Sequence, residues 1–117
     1  MSEAQRAART GVRDLTAFQK NILVVLAEEP RYGLAVKREL EEYYGEEVNH
    51  GRLYPNLDDL VEEGMVEKSE LDKRTNQYAL TDAGVEAVFD DLSWSLGKFV
   101  STDERAARIR DVVAEHD

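Results

Sequence analysis

Between Gly64 and Thr81 the spacing of apolar residues changes, and this change restricts the fold more than any other feature of the chain. Before it, three segments carry apolar side chains at helical spacing; within it, short strand-like runs take over. Met65 to Leu71 and Asn76 to Leu80 flank the polar turn Asp72-Lys73-Arg74-Thr75, which reads as a hairpin. After it a long helical pattern resumes.

The helical segments have clear limits. Residues 2–13 are rich in Ala and Arg and suit a short helix, with Arg6, Arg9 and Arg13 on one face. Thr16-Ala-Phe-Gln19 has capping-box form and opens a helix to about Glu29, with Phe18, Ile22, Val25 and Leu26 inward and Pro30 as its stop. A second helix is predicted over 33–44, with Val36, Leu40, Tyr43 and Tyr44 inward and Gly45 ending it. Asn49 caps a third, stopped by Gly64, whose buried stripe is Leu53, Leu57, Leu60 and Val61. Pro55 falls in its first two turns, where a lost hydrogen bond costs less. Thr81 caps the long helix, and Ser101-Thr-Asp-Glu104 has the form of a second capping box for a terminal helix with Ile109, Val112 and Val113 on one side. The fold class is mainly α with a small β-hairpin: a winged helix-turn-helix with C-terminal helices. Its divisions are an arm or short helix at 1–14, the winged unit at 15–80 and dimerisation helices at 81–117.

Three motifs narrow this layout. Tyr32-Gly33 opens the second helix, Gly51-Arg-Leu-Tyr-Pro55 lies in the third, and Tyr78-Ala-Leu-Thr-Asp-Ala-Gly84 leads out of the hairpin. In that order and spacing they resemble the PadR family of winged-helix transcriptional regulators, over roughly residues 17–90. The resemblance implies a homodimer that binds a pseudo-palindromic double-stranded DNA operator, with the third helix in the major groove and the hairpin as wing. The wing here, Asp72-Lys-Arg-Thr-Asn-Gln77, departs from the family by lacking glycine and carrying few basic residues.

The residues support the same reading. The start of a recognition helix must present small or polar groups to base edges. Asn49, His50, Gly51, Arg52 and Asn56 do so: Gly51 permits close approach, and Arg52 has the reach for guanine or phosphate. Tyr54 has two readings, a phenol donating to phosphate or a ring packed in the core. Lys73 and Arg74 stand at the wing tip, suited to phosphates or the minor groove. His50 has Glu46 and Glu47 nearby, but without a second histidine they are read as no metal site. The Arg6, Arg9, Arg13 face suits a DNA arm or an intramolecular partner for acidic surface equally well. On the long helix Val85, Val88, Phe89, Leu92, Leu96 and Phe99 form a seam suited to a second chain. Trp94 lies off that seam, where packing is favoured over stacking on a ligand.

Composition adds two constraints. The 15 Lys and Arg against 25 Asp and Glu leave a net charge of −10, mostly from residues 58–117. Such an acidic, lysine-poor chain suits multimolar salt, where screening falls to about 3 Å. With the family resemblance it implies a haloarchaeal, stress-responsive regulator holding no cofactor except potassium ions at its DNA interface. The absence of cysteine removes disulfides, thiol redox sensing and thiolate catalysis. With only two histidines and no nucleophile–base pair, an enzyme is not expected. No run of ~18 apolar residues appears, so a cytoplasmic protein is expected. Two rival readings stand beside the regulator: a protein-docking module that never touches DNA, and a regulator sensing a small molecule near Trp94.

Overall fold

The computed structural model describes residues 15–72 and 75–116. Helix α1 (Ala17–Glu28) starts at a complete capping box. The Gln19 N–H donates to Thr16 Oγ1 and the Thr16 N–H donates to Gln19 Oε1, both at 3.1 Å. Phe18, Ile22, Leu23 and Leu26 turn inward, while Val25 is half-buried at the margin.

A two-residue strand, β1 (Arg31–Tyr32), precedes α2 (Gly33–Tyr44). Gly45 ends α2 with φ 72°, a left-handed conformation that glycine adopts without steric cost. Tyr43 departs from expectation. It is 72% exposed, because the inward arc of α2 is filled by Val36 and Leu40. Tyr44 alone reaches the core, stacking on Phe18 at 6.1 Å.

Helix α3 (His50–Glu62) buries Leu53, Leu57 and Leu60 and leaves the opposite face in solvent. Strands β2 (Val66–Asp72) and β3 (Thr75–Leu80) form the hairpin, with Val66 opposite Leu80 and a bulge between Glu70 and Asp72. Val66 is the only buried residue of β2, so most of the strand projects from the body as a wing. The free edge of β3 pairs antiparallel with β1, giving a three-stranded sheet of order β1-β3-β2 where a hairpin was expected.

The long helix α4 (Asp82–Phe99) buries Gly84 and Ala87 near its start, so the core continues past residue 80. The helix stays against α1 as far as Asp91, whose carboxylate accepts from Lys20 Nζ at 3.3 Å, and none of its residues after Ala87 is fully buried. The radius of gyration is 15.7 Å, against about 13 Å for a compact domain near this length. Helix α5 (Asp103–Ala114) buries none of its residues. Its cap is Thr102, which accepts from the Arg105 N–H at 3.2 Å, one residue beyond the expected capping box. Arginine in place of glutamate at that offset leaves no reciprocal bond to the cap; its guanidinium instead donates to Ser101 Oγ and the Phe99 carbonyl. The helix expected at 2–13 lies outside the described residues.

Candidate nucleic-acid interface

The start of α3 is built to be open on one side. Asn49, in extended backbone, accepts the Gly51 N–H at 2.6 Å and so ends the preceding turn. Glu41 fixes that turn from below: its carboxylate accepts the Val48 N–H at 2.9 Å and Lys37 Nζ at 3.0 Å. These bonds hold the Glu41 carboxyl below its ordinary pKa, the Val48 N–H being the main cause and Lys37 the next. Val48 is buried, and Asn49, His50, Gly51 and Arg52 then emerge exposed.

Each of these side chains has a defined neighbour. The His50 ring stacks parallel to Tyr54 at 5.6 Å. The Arg52 guanidinium lies over the Phe18 ring of α1, 4.0 Å from its centroid. Asn56 is held twice: its Nδ2 donates to the Arg52 carbonyl at 2.7 Å, and its Oδ1 accepts from Gln19 Nε2 at 3.0 Å. Sequence reasoning therefore missed two supports of this surface: Gln19, which bonds Asn56, and the buried Phe18 ring beneath Arg52. The capping box identified Gln19 as a helix-start residue but gave no sign that its other amide atom reaches α3.

Tyr54 packs half-buried against the core, with its phenol over Gly33. A Cβ on Gly33 would lie 2.7 Å from the Tyr54 hydroxyl oxygen. The Tyr-Gly motif of α2 and the tyrosine of the Gly-x-Leu-Tyr-Pro motif thus meet in one contact. The third motif closes the wing: Thr81 Oγ1 donates to the Gly64 carbonyl at 2.6 Å and accepts the Gly84 N–H at 3.0 Å.

Lys73 and Arg74 lie outside the described residues, as do Arg6, Arg9 and Arg13. On the neighbouring surface Glu46, Glu47, Asp58 and Asp59 are exposed, with Lys68 Nζ 3.9 Å from Asp58. Among the described residues no group of three His, Asp or Glu is placed to hold a metal ion. None of the described helices is long and apolar enough to cross a membrane.

Away from this face, α4 presents Val85, Phe89, Leu92 and Phe99 to solvent; Leu96 is half-buried and Val88 packs against the core. Trp94 is 66% exposed on the same helix, with Lys98 Nζ 5.9 Å from its ring.

Comparison with known proteins gives one consistent result. The family model described as "Transcriptional regulator PadR-like family" matches residues 22–89. The transcriptional activator GvpE of Haloferax mediterranei is 31% identical over 91 residues, which are 76% of this chain and 46% of GvpE. The chain thus spans about half the length of that relative. RosR of Halobacterium salinarum, in a structure grown from NaBr, is 73% identical with a TM-score of 0.87, covering 89% of this chain and 94% of that one. Bacillus subtilis PadR in complex with operator DNA is 25% identical with a TM-score of 0.58, over 66% of this chain and 47% of PadR.

Proposed function

The chain belongs to the transcriptional regulator PadR-like family, and from that premise we infer that it binds double-stranded operator DNA sequence-specifically as a homodimer. The observation that carries the reading is the division of α3, with Leu53, Leu57 and Leu60 in the core and His50, Gly51 and Arg52 exposed at its amino end. That is the geometry a helix needs to enter the major groove, where its first residues face base edges. Arg52 reads guanine, Asn49, His50 and Asn56 serve the same face, and Lys73 and Arg74 bind phosphate from the wing.

A second chain docks on the α4 seam, which places two copies of α3 about 34 Å apart, one turn of DNA. Glu46, Glu47, Asp58 and Asp59 come near phosphates in this arrangement, and potassium ions bridge the like charges. The protein regulates transcription in the cytoplasm and catalyses no reaction, in keeping with its family.

Selection of binding sites from a random DNA library tests the assignment. The unsubstituted protein should enrich a pseudo-palindrome. Arg52→Ala should change which bases are preferred, and Lys73→Ala should weaken all sites alike. Equal weakening of every site by Arg52→Ala would make Arg52 a phosphate anchor, and no enrichment by the native chain would defeat DNA recognition altogether.

A further inference from the structure

Asn56 is the one candidate base-reading side chain whose amide is held at both ends. The Gln19 and Asn56 amides are each anchored to backbone at one end only. The Thr16 N–H can face only an oxygen, so it sets Gln19 with Oε1 toward the cap and Nε2 outward. The Arg52 carbonyl can face only a donor, so it sets Asn56 with Nδ2 toward its own helix and Oδ1 outward. Gln19 Nε2 and Asn56 Oδ1 then meet as donor and acceptor at 3.0 Å, between residues 37 apart in sequence. Among the described residues these two bonds leave one N–H and one lone pair of Asn56 for another partner.

We propose that Gln19 is a specificity-positioning residue: it fixes the Asn56 amide so that α3 presents one donor–acceptor polarity to the base edge. The inference rests on the DNA-binding reading above. Without the Gln19 donor a single bond to the Arg52 carbonyl is left, and the Asn56 amide, held at one end instead of two, can swing off it and offer the other polarity. An asparagine set one way distinguishes adenine, which pairs an N6 donor with an N7 acceptor, from bases with another pattern. The Phe18 ring beneath Arg52 adds a second contact from the same turn of α1, so both readers lean on adjacent residues of one helix.

Two substitutions separate positioning from helix capping. Gln19→Glu keeps the oxygen that accepts the Thr16 N–H and loses the donor to Asn56. Gln19→Lys keeps a donor within reach of Asn56 and loses the capping acceptor. Each variant is measured for its preference between the selected operator and single-base variants of it, alongside its thermal midpoint. Gln19→Glu should lose roughly tenfold in discrimination at one base pair per half-site, while Gln19→Lys keeps the native preference at a lower midpoint. A native preference in Gln19→Glu, or its loss in Gln19→Lys alone, would overturn the assignment. The native chain, measured beside them, reports separately on DNA recognition itself: if it prefers no sequence, that reading fails before Gln19 is tested.

Discussion

Gly84 sits against the backbone of Met65 so closely that a Cβ on the glycine would lie 2.2 Å from the Met65 carbonyl oxygen. That oxygen also accepts the Thr81 N–H at 3.1 Å, so it is held from the same side and has little room to retreat. Helix α4 leaves the wing at this contact. An alanine inside a helix ordinarily gains about 0.5–1 kcal/mol over glycine, but a clash with fixed backbone costs more. Gly84→Ala is expected to destabilise the fold by about 1–3 kcal/mol, seen as a lower urea midpoint. Gly97→Ala, where a Cβ meets nothing within 4 Å, is the control expected to raise the midpoint slightly.

Glu41 makes stability depend on acid. Its folded carboxyl titrates below the ordinary value because the ionised form accepts the Val48 N–H and lies beside Lys37. The sign follows from linkage: the unfolded chain takes up the proton first, so the contribution is present above the ordinary carboxylate pKa and is lost as pH falls through the lowered one. Glu41→Gln keeps an acceptor for Val48 without the titrating charge. Urea unfolding between about pH 6 and 3 should therefore show a smaller acid loss in Glu41→Gln than in the native chain. Parallel profiles would mean that the carboxylate adds nothing to the turn before α3.

Helices α1 to α4 were legible because their caps and stops are local: Thr16, Gly45, Asn49, Gly64 and Thr81 each end or begin an element through bonds to near neighbours. Strand β1 was not, since two residues have no periodicity and Arg31 and Tyr32 are extended by pairing with Tyr78 and Gln77 far along the chain. Tyr43 was misplaced for a related reason. It continues the Val36–Leu40 spacing, but how far round α2 the core extends depends on α1, and only Tyr44 finds Phe18 there. At the candidate interface the exposed start of α3 followed from the motif, whereas Gln19 and Phe18 act through long-range contacts that no local pattern encodes.

The α4 seam predicts the assembly. Phe89 is 62% and Leu92 52% exposed, about one helical turn apart on the side of α4 away from the core. Neither is needed to close the monomer. Phe89→Lys with Leu92→Lys should leave the helical content intact and convert a dimer into a monomer in sedimentation at micromolar concentration. Operator affinity should fall steeply as the two copies of α3 lose their fixed spacing. A native chain that sediments as a stable monomer would defeat the dimer.

Salt dependence tests the acidic surface. A regulator that neutralises about 6–10 phosphates by releasing counterions loses roughly 10³–10⁵ in affinity between 50 and 200 mM salt. A chain with net charge −10 has the opposite effect available. Glu46 and Glu47 stand exposed immediately before α3, and Asp58 and Asp59 are exposed along it. Bringing such carboxylates toward phosphates costs repulsion unless cations enter with them, and each cation taken up offsets one released. Operator binding titrated from about 0.5 to 3 M KCl should then have a slope much flatter than −0.9 per phosphate contact, or rise over part of the range. Glu46→Gln with Glu47→Gln removes two of the charges that demand a cation. That variant should bind more tightly than the native chain at low salt and recover a conventional negative slope. A steep native slope throughout, unchanged by the double substitution, would mean that these carboxylates face away from DNA and serve only to keep the surface hydrated.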